Sequence, residues 1–172
     1  MKKLINKFLI YFRRVKLYES KKKPVQKINN PYKLYLFKRF NKIGNKSILN
    51  YFKKFKEKKI RFSNKQHFLV LILNKKLVCS GWMSESKFWK ITEINYVIKI
   101  KRATMLFDFN TPFEARSKGY YTQILKMILT KFKSKKFMIY ALSSNQASIQ
   151  GISKAGFVLK KNLTHFSRND GK

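Results

Sequence analysis

Arg116-Ser117-Lys118-Gly119-Tyr120-Tyr121 places two basic side chains and a glycine where an apolar run, Ala103 to Asn110, gives way to a helical pattern. The chemistry on offer there is anion binding. The first N–H groups of a helix have no intrahelical partner, and the helix dipole favours negative charge beside them. Glycine lets the backbone approach a ligand closely. A phosphorylated ligand is therefore expected at this joint.

Other reactive residue types are sparse. His67 and His165 have no partner spacing that suggests a metal centre or a nucleophilic triad, so no metal is expected. Cys79 is the single cysteine, which excludes an intrachain disulfide and, in a lysine-rich chain, points to a cytoplasmic protein. Cys79 sits within an apolar run and reads as a small core hydrophobe.

The 172 residues, 44% hydrophobic and 16% aromatic, suit one packed domain rather than a disordered basic tail. The formal charge of +34 invites a nucleic-acid reading. The lysines, however, run through the whole chain together with abundant Asn, Ile and Phe, as biased codon usage would produce. No recognition motif accompanies them, so nucleic-acid binding is not expected as the main role.

Residues 1–30 read as a basic leader, in which Leu4, Ile5, Phe8, Leu9 and Phe12 fall at helical spacing among Lys and Arg. Such an amphipathic helix suits packing on its own domain, or peripheral contact with an anionic membrane at its inner face. No run is long enough for a spanning helix, and no cleavage site marks a signal peptide. Residues 31–172 read as the compact domain.

Within that domain, Lys33 to Phe40 reads as a strand, and Ile48, Leu49, Phe52 and Phe55 as one helix face. His67 to Leu73 and Leu77 to Met83 form a buried hairpin around Asn74-Lys75-Lys76. Two more strand-like runs, Ile94 to Ile100 and Ala103 to Asn110, lead to the basic loop. A helix follows with Tyr121, Ile124, Leu125, Ile128, Leu129 and Phe132 on one stripe. Phe137 to Leu142 is a buried-type strand, and Asn145 offers N-cap chemistry to a helix ending at Gly156. Strand, helix, strand, helix in close succession implies an α/β domain in which strands 103–110 and 137–142 are parallel neighbours. The tail from Lys160 leaves room for one or two short strands.

Two joints together resemble the GNAT superfamily of acyl-CoA-dependent N-acyltransferases. Thr111-Pro112-Phe113-Glu114-Ala115-Arg116-Ser117-Lys118-Gly119 is similar to the family's R-x-x-G-x-G/A pyrophosphate loop, and Asn145-Gln146-Ala147-Ser148 to Lys154-Ala155-Gly156-Phe157 to its N-x-x-S/A…K-x-G-F helix. The resemblance covers roughly residues 31–160, with Trp82 on the hairpin also reminiscent of these proteins. It implies a mixed central sheet whose central parallel strands splay apart, with flanking helices and acetyl-CoA as cosubstrate. By that analogy the N–H groups of Ser117, Lys118, Gly119, Tyr120, Tyr121 and Thr122, with Arg116, hold the pyrophosphate. The backbone of Phe109 and Thr111 then pairs with the pantetheine, and the Asn145 side chain bonds a pantetheine amide. The sequence departs from the family at two places: Tyr121 replaces the loop's last small residue, and Ile152 stands where many members place a tyrosine acid.

Acyl transfer to an amine needs a proton acceptor and a proton donor for the leaving thiolate. Of seven carboxylates, Glu19, Glu57 and Asp170 look peripheral, leaving Glu85, Glu93, Asp108 and Glu114. Asp108, on the strand entering the loop, is the chosen base by position. Strict alternation turns it away from Phe109 and Thr111 unless a bulge resets the parity. Tyr120, Tyr121 and Tyr140 are candidate acids, Tyr140 foremost. The form T-P-x-x-x-R-x-K-G-x-Y resembles members associated with surface-polysaccharide building, and the positive field favours an anionic acceptor, so a nucleotide-linked or phosphorylated amino sugar is expected. The competing expectation is an inactive GNAT-like module that binds RNA or an anionic membrane surface.

Overall fold

The protein is described by a computed structural model covering residues 10–21, 31–44, 46–52 and 58–167. Nine strands are described: β1 (Arg14–Ser20), β2 (Lys33–Phe37), β3 (Gln66–Leu73), β4 (Lys76–Ser84), β5 (Phe88–Ile91), β6 (Tyr96–Lys99), β7 (Thr104–Asn110), β8 (Phe137–Leu142) and β9 (Phe157–Thr164). The helices are α1 (Lys46–Phe52), α2 (Lys58–Ser63), α3 (Tyr120–Lys131) and α4 (Gln146–Lys154). Seven strands form one mixed sheet in the order β2-β3-β4-β7-β8-β1-β9, and β5 and β6 form a separate antiparallel ribbon. Among the described strands only β7 and β8 are parallel, as the strand–helix–strand order requires.

Both faces of the sheet are covered, which accounts for the continuous apolar runs of β3 and β4. On one face Trp82 packs with Phe68 and Phe52, with ring centroids 4.9 and 5.9 Å away, under α1, α2 and the β5–β6 ribbon. On the other, Ile124, Leu125 and Ile128 of α3 and Ile152 of α4 pack on Leu69, Leu71, Leu106 and Ile139. Cys79 belongs to this second core, fully buried as expected, and burial pushes its thiol up to about 11. The hairpin closes through Asn74 and Lys75, both at positive φ (46° and 62°), the conformation of a two-residue turn that matches strand twist.

Residue 30 is not the edge of the fold. Arg14–Ser20 of the expected leader is β1, an interior strand paired antiparallel with β8 on one side and β9 on the other. Val15 and Leu17 enter one core and Tyr18 the other, so its short pattern lacks the simple alternation that marks a one-sided strand. The helical spacing at Leu4, Ile5, Phe8 and Leu9 lies outside the described residues, as does Phe55. The tail contributes one long strand, β9, starting at Phe157 rather than Lys160.

Candidate active site

β7 carries an extra residue where it meets β4. Ser80 pairs with Asn110 and Trp82 with Phe107, so Ser80 to Trp82 faces the longer stretch Phe107 to Asn110. The bulge centres on Asp108, at φ 48°. Phe107 and Asp108 consequently share the Trp82 face, whereas Phe109 turns to the α3 face, its ring lying over Gly81. A Cβ on Gly81 would sit 2.4 Å from that ring, so glycine is what allows the approach.

The bulge accompanies a parting of the sheet. β7 and β8 pair at Thr104–Phe137, Met105–Met138 and Leu106–Ile139, and no further. Beyond these pairs a cavity of about 840 Å³ opens, within the range that holds small-molecule ligands. Phe107 to Thr111 line one wall and Ile139 to Leu142 the other. The cavity reaches both faces of the sheet, meeting Ala115 to Ser117 and Gly119 to Thr122 on the helix side and Glu93 on the other.

At the helix side the loop winds through a short 3-10 turn, Phe113–Ala115, and then Ser117 and Gly119 at positive φ (61° and 74°). The first backbone bond of α3 runs from the Gln123 N–H to the Gly119 carbonyl. Among the described residues, the N–H groups of Ser117 through Thr122 have no hydrogen-bond partner, and no side chain caps the helix. This is the arrangement of donors that an anion completes.

Arg116 lines the cavity with its Nε donating to the Thr111 carbonyl at 3.3 Å, so part of the Thr111 backbone is engaged within the loop. Lys118 bends back to donate to the Glu114 carbonyl at 3.2 Å and is not among the cavity-lining residues. Thr111 Oγ1 donates to Cys79 Sγ at 3.5 Å. The Asn145 side-chain oxygen accepts from the Ser148 N–H at 3.0 Å as the expected N-cap, and the residue also lines the cavity.

The two aromatic residues at the head of α3 are packing groups. Tyr120 meets Tyr32 edge-on with centroids 6.0 Å apart. Tyr121 lies against Phe109 at 5.5 Å and over Gly151, where a Cβ would stand 2.7 Å from its ring. Burial, aided by the nearby Cys79, pushes the Tyr121 phenol well above its ordinary value. Tyr121 thus fills the place of the signature's small residue by turning its ring into the core, against Phe109 and Gly151. Ile152 is fully buried and offers no proton.

On the opposite face the structure assembles a pair that the sequence reading split. Tyr140 donates to the Glu93 carboxylate, 3.3 Å from Oε2 and 3.5 Å from Oε1. Burial first, and the Glu93 charge second, push the Tyr140 phenol well up, so it is neutral and protonated at pH 7. Glu93 sits on a 3-10 turn, Thr92–Ile94, between β5 and β6. It was only one of four remaining carboxylates in the sequence. The signal that would have singled it out is the β5–β6 ribbon, whose first strand the apolar pattern did not mark. Asp108, the chosen base, lines the cavity and is ion-paired: Arg61 Nη2 approaches its Oδ2 at 2.6 Å while the guanidinium stacks 5.0 Å from the Trp82 ring centroid. Arg61 had no role in the sequence reading. Among the described residues, no group of three or more His, Cys, Asp or Glu could hold a metal ion.

No family model matches the chain, and no curated protein matches its sequence. Solved structures do. A GNAT-family acetyltransferase from Colwellia psychrerythraea superposes with a TM-score of 0.54 at 13% identity, covering 87% of this chain and 53% of its own. A functionally unknown conserved protein from Staphylococcus epidermidis gives 0.57 at 14%, over 87% and 59%. A GCN5-related N-acetyltransferase-like protein from Streptococcus suis gives 0.50 at 11%, over 94% and 64%. This chain therefore spans less than two thirds of the length of these three structures. Its architecture, with the parted parallel strands and the loop before α3, is the GNAT acetyltransferase fold.

Proposed function

We propose that this protein transfers an acetyl group from acetyl-CoA to a primary amine. The observation that carries the reading is the continuity of unbonded N–H groups at Ser117 to Thr122 with the gap between β7 and β8. A pyrophosphate on those amides, with a pantetheine arm directed into the gap beside Phe109, Thr111 and Asn145, fits both features. Helix-terminal donors contribute ~0.3–2 kcal/mol per anionic group, and several acting together give useful affinity.

Bound acetyl-CoA supplies a thioester whose C–S bond breaks as the C–N bond to the amine forms. Glu93 takes the proton released by the amine, directly or through one water. Tyr140 donates its phenolic proton to the departing sulfur. The proton then returns from Glu93 to Tyr140 along their 3.3 Å hydrogen bond, restoring the pair. Asp108, its charge offset by Arg61, lines the cavity on the same face as Glu93 and contacts the acceptor there.

The acceptor favoured by the +34 charge is anionic, a phosphorylated or nucleotide-linked amino sugar, because a polyamine would be repelled on approach. The positive field also lowers the amine pKa, easing formation of the neutral nucleophile. Salt screens that effect, so the acidic limb of the pH–rate profile moves to higher pH as ionic strength rises. Thermal stabilisation by acetyl-CoA, followed by coenzyme A release across a panel of amines, tests the reading. Stabilisation with turnover of anionic amino sugars supports it. No stabilisation, with tight and salt-steep binding to RNA, would leave a non-catalytic basic module in its place.

A further inference from the structure

A second surface lies beside this cavity. Tyr11, Phe12 and Phe166 are 49%, 68% and 74% exposed, an unusual concentration of aromatic area on solvent. Tyr11 stacks edge-on to His165 with centroids 4.7 Å apart and lies 5.8 Å from Phe166, so these three rings form one cluster where β1 begins and β9 ends, and Phe12 follows Tyr11 in the chain. Arg13 and Arg14 follow directly in the chain, and Arg14 pairs with Thr164 across the two strands. Lys16 and Lys161 continue the positive charge along them. No carboxylate occurs in residues 1–18 or 157–167.

The cluster is tied to the site by two contacts. His165 Nδ1 donates to the Ile94 carbonyl at 3.1 Å, one residue from Glu93. The Ser143 N–H donates to the Arg14 carbonyl at 2.9 Å, next to the cavity residues Leu142 and Asn145. β1 runs antiparallel to β8, so its beginning lies at the end of the sheet where the gap opens.

We propose that Tyr11, Phe12 and Phe166, flanked by Arg13 and Arg14, dock this protein on an anionic lipid bilayer with the mouth of the cavity facing the membrane. Aromatic side chains favour the headgroup level, where an apolar ring meets water, and nearby basic residues add attraction to anionic lipid. Single-stranded nucleic acid also stacks its bases on exposed rings beside basic residues, and retention of RNA in place of vesicles is the outcome that separates the two occupants. The acceptor would then be an amine carried by a membrane-borne molecule. That last step rests on the proposed transferase reading, whereas the docking surface does not.

Sedimentation of the full chain with vesicles of phosphatidylglycerol and phosphatidylcholine tests the surface, independently of any effect of acetyl-CoA. The expected result is binding to mixed vesicles and not to pure phosphatidylcholine. It should weaken about tenfold or more in the double variant Phe12→Ser, Phe166→Ser, and about tenfold or more in Arg13→Gln, Arg14→Gln. A Tyr11→Trp variant, which keeps an aromatic ring, should show blue-shifted emission with the mixed vesicles. Vesicle binding that is indifferent to the aromatic substitutions, an unshifted emission spectrum of the Tyr11→Trp variant, or retention of RNA in place of vesicles would overturn the proposal.

Discussion

In the proposed reaction the chemistry turns on Tyr140 and Glu93, which are hydrogen-bonded to each other at the gap in the sheet. Tyr140→Phe and Glu93→Gln should each lower kcat about a hundredfold or more, the usual size of a lost acid or base. Stabilisation by acetyl-CoA should persist in both, because neither touches the amides before α3; a loss confined to KM would contradict the assignment. Asp108→Asn should act differently, freeing Arg61 and loosening the bulge, with its main effect on acceptor KM. The sequence could not separate these carboxylates. Asp108 stands next to a legible strand–loop joint, whereas Glu93 reaches the site only through the β5–β6 ribbon, a contact between segments far apart in the chain.

The elements proposed to hold the ligand are β7, β8 and the head of α3, and all three were legible because each has a strong period and a clear stop. The apolar strand ending at Asn110, the helical stripe from Tyr121 and the Asn145 cap each carry their own local chemistry. The register was not legible: the bulge at Asp108 depends on how β4 pairs with β7, and no local signal announces it. Gly151 illustrates packing at this scale, since it admits the Tyr121 ring that anchors the start of α3. Gly151→Val should destabilise the fold by about 1–3 kcal/mol, as overpacking does, and weaken acetyl-CoA binding by displacing the helix head. Chemical denaturation and a ligand-induced shift in melting temperature would measure the two effects. An unchanged protein would mean that α3 and α4 are not coupled through this contact.

Across the whole molecule, the first described strand completes the sheet that the last described one closes. β1 lies between β8 and β9, so Leu17→Ala should cost about 2–5 kcal/mol, as truncation of a buried leucine does. A loss below about 1 kcal/mol would place residues 14–20 outside the folded core. The sequence concealed this strand because its charge and shortness resemble the basic residues around it. Charge balance at the same strand gives a pH signature. Burial pushes the Glu19 carboxyl up, but hydrogen bonds and charge from Lys136 and Lys160 outweigh it and hold the group below its ordinary 4.5. Its contribution to stability is therefore complete above that ordinary value and disappears as pH falls through the lower folded one. Glu19→Gln should cost about 1 kcal/mol at neutral pH and less in acid, read from denaturation curves across pH 2–7. A cost that does not shrink in acid would point to packing rather than charge.

The central claim is that the main-chain amides before α3 grip a pyrophosphate while the parted strands receive the thioester arm. A crystal structure of the coenzyme A complex tests it most directly. The account predicts phosphate oxygens about 3 Å from the N–H groups of Ser117 to Thr122 and the sulfur between β7 and β8, close to Tyr140. Coenzyme A bound away from that loop, or a gap closed by the side chains of Phe109 and Tyr140, would contradict it.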